Sequence, residues 1–335
     1  MDLAMKATDE ILRVIQSMEN ELQTVIDLFK QDLKANNRSH LSKQRYLMPD
    51  YYTDSFEKAI KGILESERAP DVYYDEASDN QQKAAYYKDI YFEEESNVLK
   101  SKLENLITRT HKNHLTYSQS KKELHSWVDL HEDRKARSIY SGKSMEANTL
   151  LAEDLIYEAA VRKELTKHAS LENVFEQSLE TILLTLSLNV EHIIPQSWFK
   201  KANPMVADLH HLFTCEMTCN SFRSNIPYYD FADYNPSASK EIIRNDCGKR
   251  DGEERFEPQN GKGAVARATM YFLTRYPAIL PQERMRLIDI PMLLKWHQDH
   301  PVSLYEKHRN WSIFQLQGNR NPFIDFPDTA NALVQ

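Results

Sequence analysis

From Leu184 to Val190 the chain alternates apolar and polar residues, and it then runs directly into Glu191-His192-Ile-Ile-Pro195. Alternation with a period of two marks a half-buried strand. A carboxylate and an imidazole therefore sit at the end of a strand, just before a proline. Strict alternation sends Glu191 and His192 to opposite faces. They serve one centre only if the strand ends or twists there, as the Ile-Ile-Pro that follows permits. Asp208-Leu-His-His-Leu-Phe213 reads as a second strand, and Cys215 to Phe222 holds no Pro or Gly to interrupt a short helix. Strand, loop, strand and helix would gather Glu191, His192 and Asn220.

That trio has a chemistry. Glu191 and Asn220 offer hard oxygen atoms to a Mg²⁺-like ion, which prefers oxygen ligands and keeps several waters. His192 can take a proton from an attacking water, because imidazole titrates near neutral pH. The ion would stabilise charge on a phosphate and its leaving oxygen. A Glu-His pair alone recurs by chance in many proteins, so the ordered residues around it carry the weight.

Those residues form a pattern: Asn189-x-Glu-His-x-x-Pro195-x-Ser197, then Asp208-Leu-His210, then Asn220-x-x-Arg223-Ser-Asn225. Phe256-Glu-Pro258, Lys262-Gly-Ala-Val-Ala-Arg267 and Gln317-Gly-Asn-Arg-Asn-Pro322 follow. Upstream stand Leu103-Glu-Asn-Leu-Ile107, His114-Leu-Thr-Tyr117, Trp127 and Ile139-Tyr-Ser141. In this order they resemble the endonuclease I family, bacterial nucleases of the ββα-metal (His-Me finger) superfamily, over roughly residues 86 to 142 and 187 to 327. The resemblance implies an α+β fold, a ββα-metal core within a mostly helical domain. It implies Glu191 and Asn220 as ligands of Mg²⁺, or of Mn²⁺ or Ca²⁺, with His192 as general base. Arg223 and Arg267 fall at matching arginines; they are candidates for bidentate phosphate contacts, or alternatively internal salt-bridge partners. Asp208 and His210 would orient the ligands. His211 reads as structural, with a ligand role as the alternative.

Two departures from the family pattern matter. Many secreted members carry a cysteine-bearing insertion between the Glu-His strand and the Asp-Leu-His strand, whereas only fifteen residues separate His192 from Asp208 here. An arginine that works at the leaving group in some members lies in that insertion, so its function is missing or supplied elsewhere. The block 143–185, with Leu150, Leu151, Leu155, Ile156 and Ala159 at helical spacing, reads as an inserted helix or helical pair.

Charge bears on the substrate. From Glu191 to the C-terminus acidic and basic residues balance at 17 each, so the net charge of -8 lies in the first 190 residues. A long nucleic-acid track should show a basic excess. The neutral half offers only local clusters, of which Lys200, Lys201, Lys249, Arg250 and Lys262 are the candidate contacts; the bland alternative for each is a solvated surface charge. Cleavage through backbone contacts, largely independent of sequence, is the expectation. Three cysteines, Cys215, Cys219 and Cys247, do not complete a four-ligand zinc site without a further group and read as reduced thiols. The longest apolar runs fall well short of the ~18 residues a membrane helix needs, which predicts no membrane partner. The N-terminal residues lack a basic start followed by an apolar stretch, which predicts a cytoplasmic protein.

At 335 residues the chain accommodates about two domains. Ile11, Ile15, Met18, Leu22, Val25 and Phe29 recur at four-three spacing without Pro or Gly from Asp2 to Lys34. Residues 1–80 are therefore expected to be a helical region that packs on its own domain, forms a homo-oligomer or binds a partner, and 81–335 the nuclease domain. Arg68 to Asp79 reads as a linker. An acidic appendage on a cytoplasmic nuclease suggests a regulated effector in defence against foreign nucleic acid. The expected substrate is DNA, with an RNase of the same family as the alternative. A catalytically quiet nucleic-acid-binding or structural protein that retains the fold is the reading from another class.

Overall fold

Leu99, Leu103, Leu106 and Ile107 recur at three and four residue spacing and are fully buried along the Ser96–Thr110 helix. That stripe packs against the Lys262–Arg275 helix, which is buried on nearly every face from Gly263 to Phe272. A helix buried on nearly every face belongs at the centre of a domain. Around it stand the helices Ile290–Asp299 and Pro322–Asp325. Leu304–Gln317 opens on a capping box between Ser303 and Glu306 and closes at Gly318, whose left-handed φ of 88° suits glycine. The computed structural model describes residues 72–147, 150, 188–234, 243–244, 246–252 and 254–331. All of these but Leu150 belong to one compact unit, Ala69–Ala147 with Ser187–Gln335.

Among the described residues three small sheets decorate the helices. Strands β1 (Lys135–Arg137) and β2 (Ser144–Glu146) pair antiparallel. Strands β3 (Leu188–His192) and β4 (Leu212–Glu216) pair antiparallel, with Glu191 opposite Phe213 and His192 opposite Leu212. Strands β5 (Ile243–Arg244), β6 (Gly248–Asp251) and β7 (Arg255–Pro258) form an antiparallel meander. The class is α+β, as expected.

Several local expectations shift. The second strand begins at Leu212 rather than Asp208, because the Asp208 carboxylate accepts the amide of His210 and caps a single 3₁₀ turn over Leu209–His211. The short helix runs Met217–Arg223. The stretch read as a linker contains the start of a helix: Asp75 accepts from the amide of Ser78 and caps Glu76–Tyr86, and Asp79 is buried against Arg320 at 2.8 Å. Residues 144–146 of the expected helical insertion are strand β2. The rest of that insertion, Leu150 apart, and the heptad-like N-terminal stripe lie outside the described residues. Among the described residues no helix is long and apolar enough to cross a membrane.

Candidate active site

Strand β3 delivers Glu191 and His192 to different surroundings. Glu191, 2% exposed, faces the interior, where the Tyr140 hydroxyl donates to its Oε1 at 2.7 Å and Arg223 Nη1 lies 2.9 Å from the same oxygen. Tyr228 completes the cluster, its hydroxyl 2.6 Å from that of Tyr140 and its ring beneath the Arg223 guanidinium. Burial pushes the Glu191 carboxyl above its ordinary range, against the opposing pull of Arg223 and Tyr140. For Arg223 burial works against the charge, and Tyr228 and Glu191 overcome it, so the guanidinium stays charged.

His192 leaves the strand on the other side. Its Nε2 lies 3.0 Å from the carbonyl oxygen of Val206 and must donate to it, and its Nδ1 accepts from the Gln196 amide nitrogen at 3.1 Å. These partners define a neutral imidazole with its lone pair at Nδ1. Burial, helped by His211, pushes its pKa down to about 3. The ring of Tyr117 stacks over it at 5.7 Å.

The helix after β4 brings Asn220 back to the strand, its Nδ2 donating to the carbonyl of Val190 at 3.1 Å. Glu191, His192 and Asn220 thus belong to one strand, strand and helix unit, with Asn220 anchored next to Glu191 in sequence. Arg223 is not a free phosphate ligand: besides Glu191 it donates to the carbonyls of His192 at 3.1 Å and Ile193 at 2.8 Å. It braces the end of β3.

Asp208 and His210 sit behind the strand pair. Asp208 is fully buried and accepts from Gln317 Nε2 and from the hydroxyls of Tyr271 and Tyr276. Burial alone would raise its carboxyl, and His111, His210 and His211 outweigh it, holding the group well below the usual carboxylate range. His210 Nε2 bonds the carbonyl of Asn319, and His211 Nε2 that of Met205, so both rings are held within the fold. Arg267 is not brought to the cluster. It is 1% exposed, and Nε and Nη2 grip the two oxygens of Glu306 at 2.6 and 2.9 Å.

The surface cations divide in the same way. Lys249 pairs with Asp233, Arg250 donates to the carbonyl of Phe222, and Lys262 pairs with Asp230 and Glu257. Lys200 and Lys201 are exposed. Sequence reasoning missed Tyr228 and Gln196, and quoted Tyr140 and Tyr117 only within motifs. The nearest signal was the Ile139-Tyr-Ser141 motif; Gln196, four residues beyond His192, lay in plain sight. Cys219 and Cys247 are joined in a disulfide and only Cys215 is free, which corrects the reduced-thiol expectation and removes two thiolates from any metal site.

Residues 95–328 match the family described as Endonuclease I. The chain is 32% identical over 161 residues to an extracellular ribonuclease of Bacillus amyloliquefaciens, covering 43% of this chain and 53% of that one. It is 32% identical over 130 residues to a periplasmic deoxyribonuclease of Aeromonas hydrophila, covering 37% and 49%, and 31% identical over 130 residues to an extracellular deoxyribonuclease of the same organism, covering 37% and 50%. The chain spans about half the length of the curated relatives it matches. Their named compartments overturn the cytoplasmic expectation, and with it the premise of an intracellular defence effector. The disulfide points the same way, because such bonds persist in oxidising compartments.

Proposed function

The chain belongs to the endonuclease I family, and on that footing we propose that it is a metal-dependent nuclease of ββα-metal type, hydrolysing phosphodiester bonds without reading base sequence. The observation that supports this most is the return of Asn220 to Val190, which ties the helix to the strand bearing Glu191 and His192. DNA is the first substrate. RNA is the second reading, favoured by relatives named as ribonucleases.

The donor set fits a Mg²⁺-like ion. Asn220 donates through its amide nitrogen to Val190, leaving a hard carbonyl oxygen, and Glu191 adds a carboxylate; an ion that keeps most of its waters needs few protein ligands. Glu191 and Asn220 would hold it. When bound, the ion supplies charge stabilisation to the phosphate and the leaving oxygen.

The remaining work falls to the chain itself. His192 keeps its Nε2 proton on Val206, so the Nδ1 lone pair is the base, and burial keeps it neutral at neutral pH. A water in place of the Gln196 amide would give its proton to Nδ1. Strand β3 ends at His192, which is the condition on which Glu191 and His192 can serve one centre. Arg223 fixes that strand end through the carbonyls of His192 and Ile193, and Tyr140 orients Glu191.

Plasmid DNA, single-stranded DNA and RNA incubated side by side with Mg²⁺ or with EDTA test the proposal. Cleavage with Mg²⁺ and none with EDTA is expected, and cleavage that persists in EDTA would defeat the metal-dependent reading.

A further inference from the structure

The β3 to β4 connection contains an uncommon piece of backbone. Lys200 and Lys201 have φ of 57° and 53°, two successive side-chain-bearing residues in the left-handed region, where glycine or asparagine is the usual occupant. The turn ends the Gln196–Phe199 3₁₀ helix, and the amides of both lysines reach the carbonyl of Gln196. Strained positions of this kind persist only where surrounding structure fixes them, and they concentrate at functional sites. The surroundings here are well built. Trp198 and Phe199 are buried with Ile194, Met205 and Leu280, and Trp198 Nε1 donates to the carbonyl of Asn225 at 3.2 Å, just beyond the helix that carries Asn220 and Arg223.

The turn leaves two ammonium groups exposed immediately after Phe199, whose ring lies 6.4 Å from that of His192. Across the same packing, Arg284 lies over the ring of Trp198 at 5.6 Å, and Arg286 is exposed two residues further on. Among the described residues none of these four cations pairs with a carboxylate. Lys249, Lys262, Arg223 and Arg267 are each held by one. A group of unpaired cations on a chain of net charge -8 is complementary to a polyanion, and phosphate contacts of this type position a nucleic acid without reading its bases.

We infer that the Lys200–Lys201 turn together with Arg284 and Arg286 is a docking face for the sugar-phosphate backbone beside the bond to be cleaved. This rests on the nuclease reading of the adjoining site, and it accounts for binding in a chain without a basic excess.

The test reads binding apart from cleavage. A fluorescent DNA duplex is titrated in EDTA over a salt series with the full chain, the Lys200→Gln/Lys201→Gln variant and the Arg284→Gln/Arg286→Gln variant. Each phosphate contact adds about 0.9 to the slope of log affinity against log salt, so each pair should lower the slope by roughly 2. Hydrolysis of bis(p-nitrophenyl) phosphate, too small to span the face, should be unchanged in both. Equal slopes for wild type and both variants would overturn the inference. Slopes that fall while no protein hydrolyses any substrate would uphold the docking face and sink the nuclease reading instead. Lys200→Gly adds a second readout: relief of the left-handed strain should keep the thermal midpoint from falling while binding weakens. A lower midpoint with unchanged binding would mean that the turn serves the fold alone.

Discussion

Arg267 lies at a position where the family resemblance suggested a phosphate contact, and its surroundings make it a core cation instead. Nε and Nη2 meet both oxygens of Glu306, and the two side chains are 1% and 6% exposed. Glu306 also accepts from the amide and hydroxyl of Ser303 in the capping box of the Leu304–Gln317 helix. Glu306→Ala leaves a buried guanidinium with His297 as its remaining hydrogen-bond partner among the described residues, and breaking a buried pair from one side costs about 3–5 kcal/mol. Loss of the reciprocal cap adds up to about 1 kcal/mol. At about 2–4 °C per kcal/mol for a domain of this size, the thermal midpoint should fall by roughly 6–24 °C. Replacing both partners with apolar groups, as in Arg267→Met/Glu306→Leu, should recover most of that, because the desolvation cost of the pair disappears with it. Urea denaturation measures the stability of both variants, and cleavage assays well below their midpoints measure function. A loss under about 1 kcal/mol for Glu306→Ala would refute the buried-pair argument. A stable double variant that no longer binds nucleic acid would return Arg267 to the substrate.

Tyr140→Phe removes a hydrogen bond to a buried carboxylate, worth about 1.5–3 kcal/mol. The Mg²⁺ concentration for half-maximal cleavage should rise at least several-fold with little change at saturating ion, and a saturating rate that collapses would argue against a positioning role. Reduction of the Cys219–Cys247 bond, which closes a loop of sequence separation 28, should lower stability by about 3–4 kcal/mol on the chain-entropy account; a midpoint insensitive to dithiothreitol would contradict that bond. Acid should weaken the fold through buried neutral histidines. Burial pushes His210 down to about 4, against about 6.5 in an unfolded chain, so its contribution is complete above pH 6.5 and declines at about 1.4 kcal/mol per pH unit towards pH 4. In His210→Gln the urea midpoint should vary less over that window, and an identical pH profile would remove His210 from the account.

Local pattern made the site legible and distance hid its surroundings. The alternation before Glu191 and the unbroken run after Cys215 forecast the strand and the helix, because both signals lie within a few residues of the groups concerned. The opposite facing of Glu191 and His192 followed from the period of a strand. The start of β4 was misplaced because Asp208 spends its side chain on a cap, which competes with extended pairing. The fate of Arg267 turned on Glu306, 39 residues away, and that of Glu191 on Tyr140, 51 residues upstream; such pairs leave no periodic trace. The odd number of cysteines likewise concealed one bonded pair and one buried thiol, so composition alone carried no sign of an oxidising compartment.

The central claim is that β3 and the Met217–Arg223 helix form a hydrolytic site. The most direct measurement is single-turnover cleavage of one labelled DNA strand in Mg²⁺ by the 335-residue chain, His192→Ala and Asn220→Ala, with folding of each variant checked by circular dichroism. The account predicts that wild type cleaves and that both folded variants lose at least 100-fold in rate, the scale of removing a general base. Folded variants that cleave at the wild-type rate would place the chemistry elsewhere in the chain.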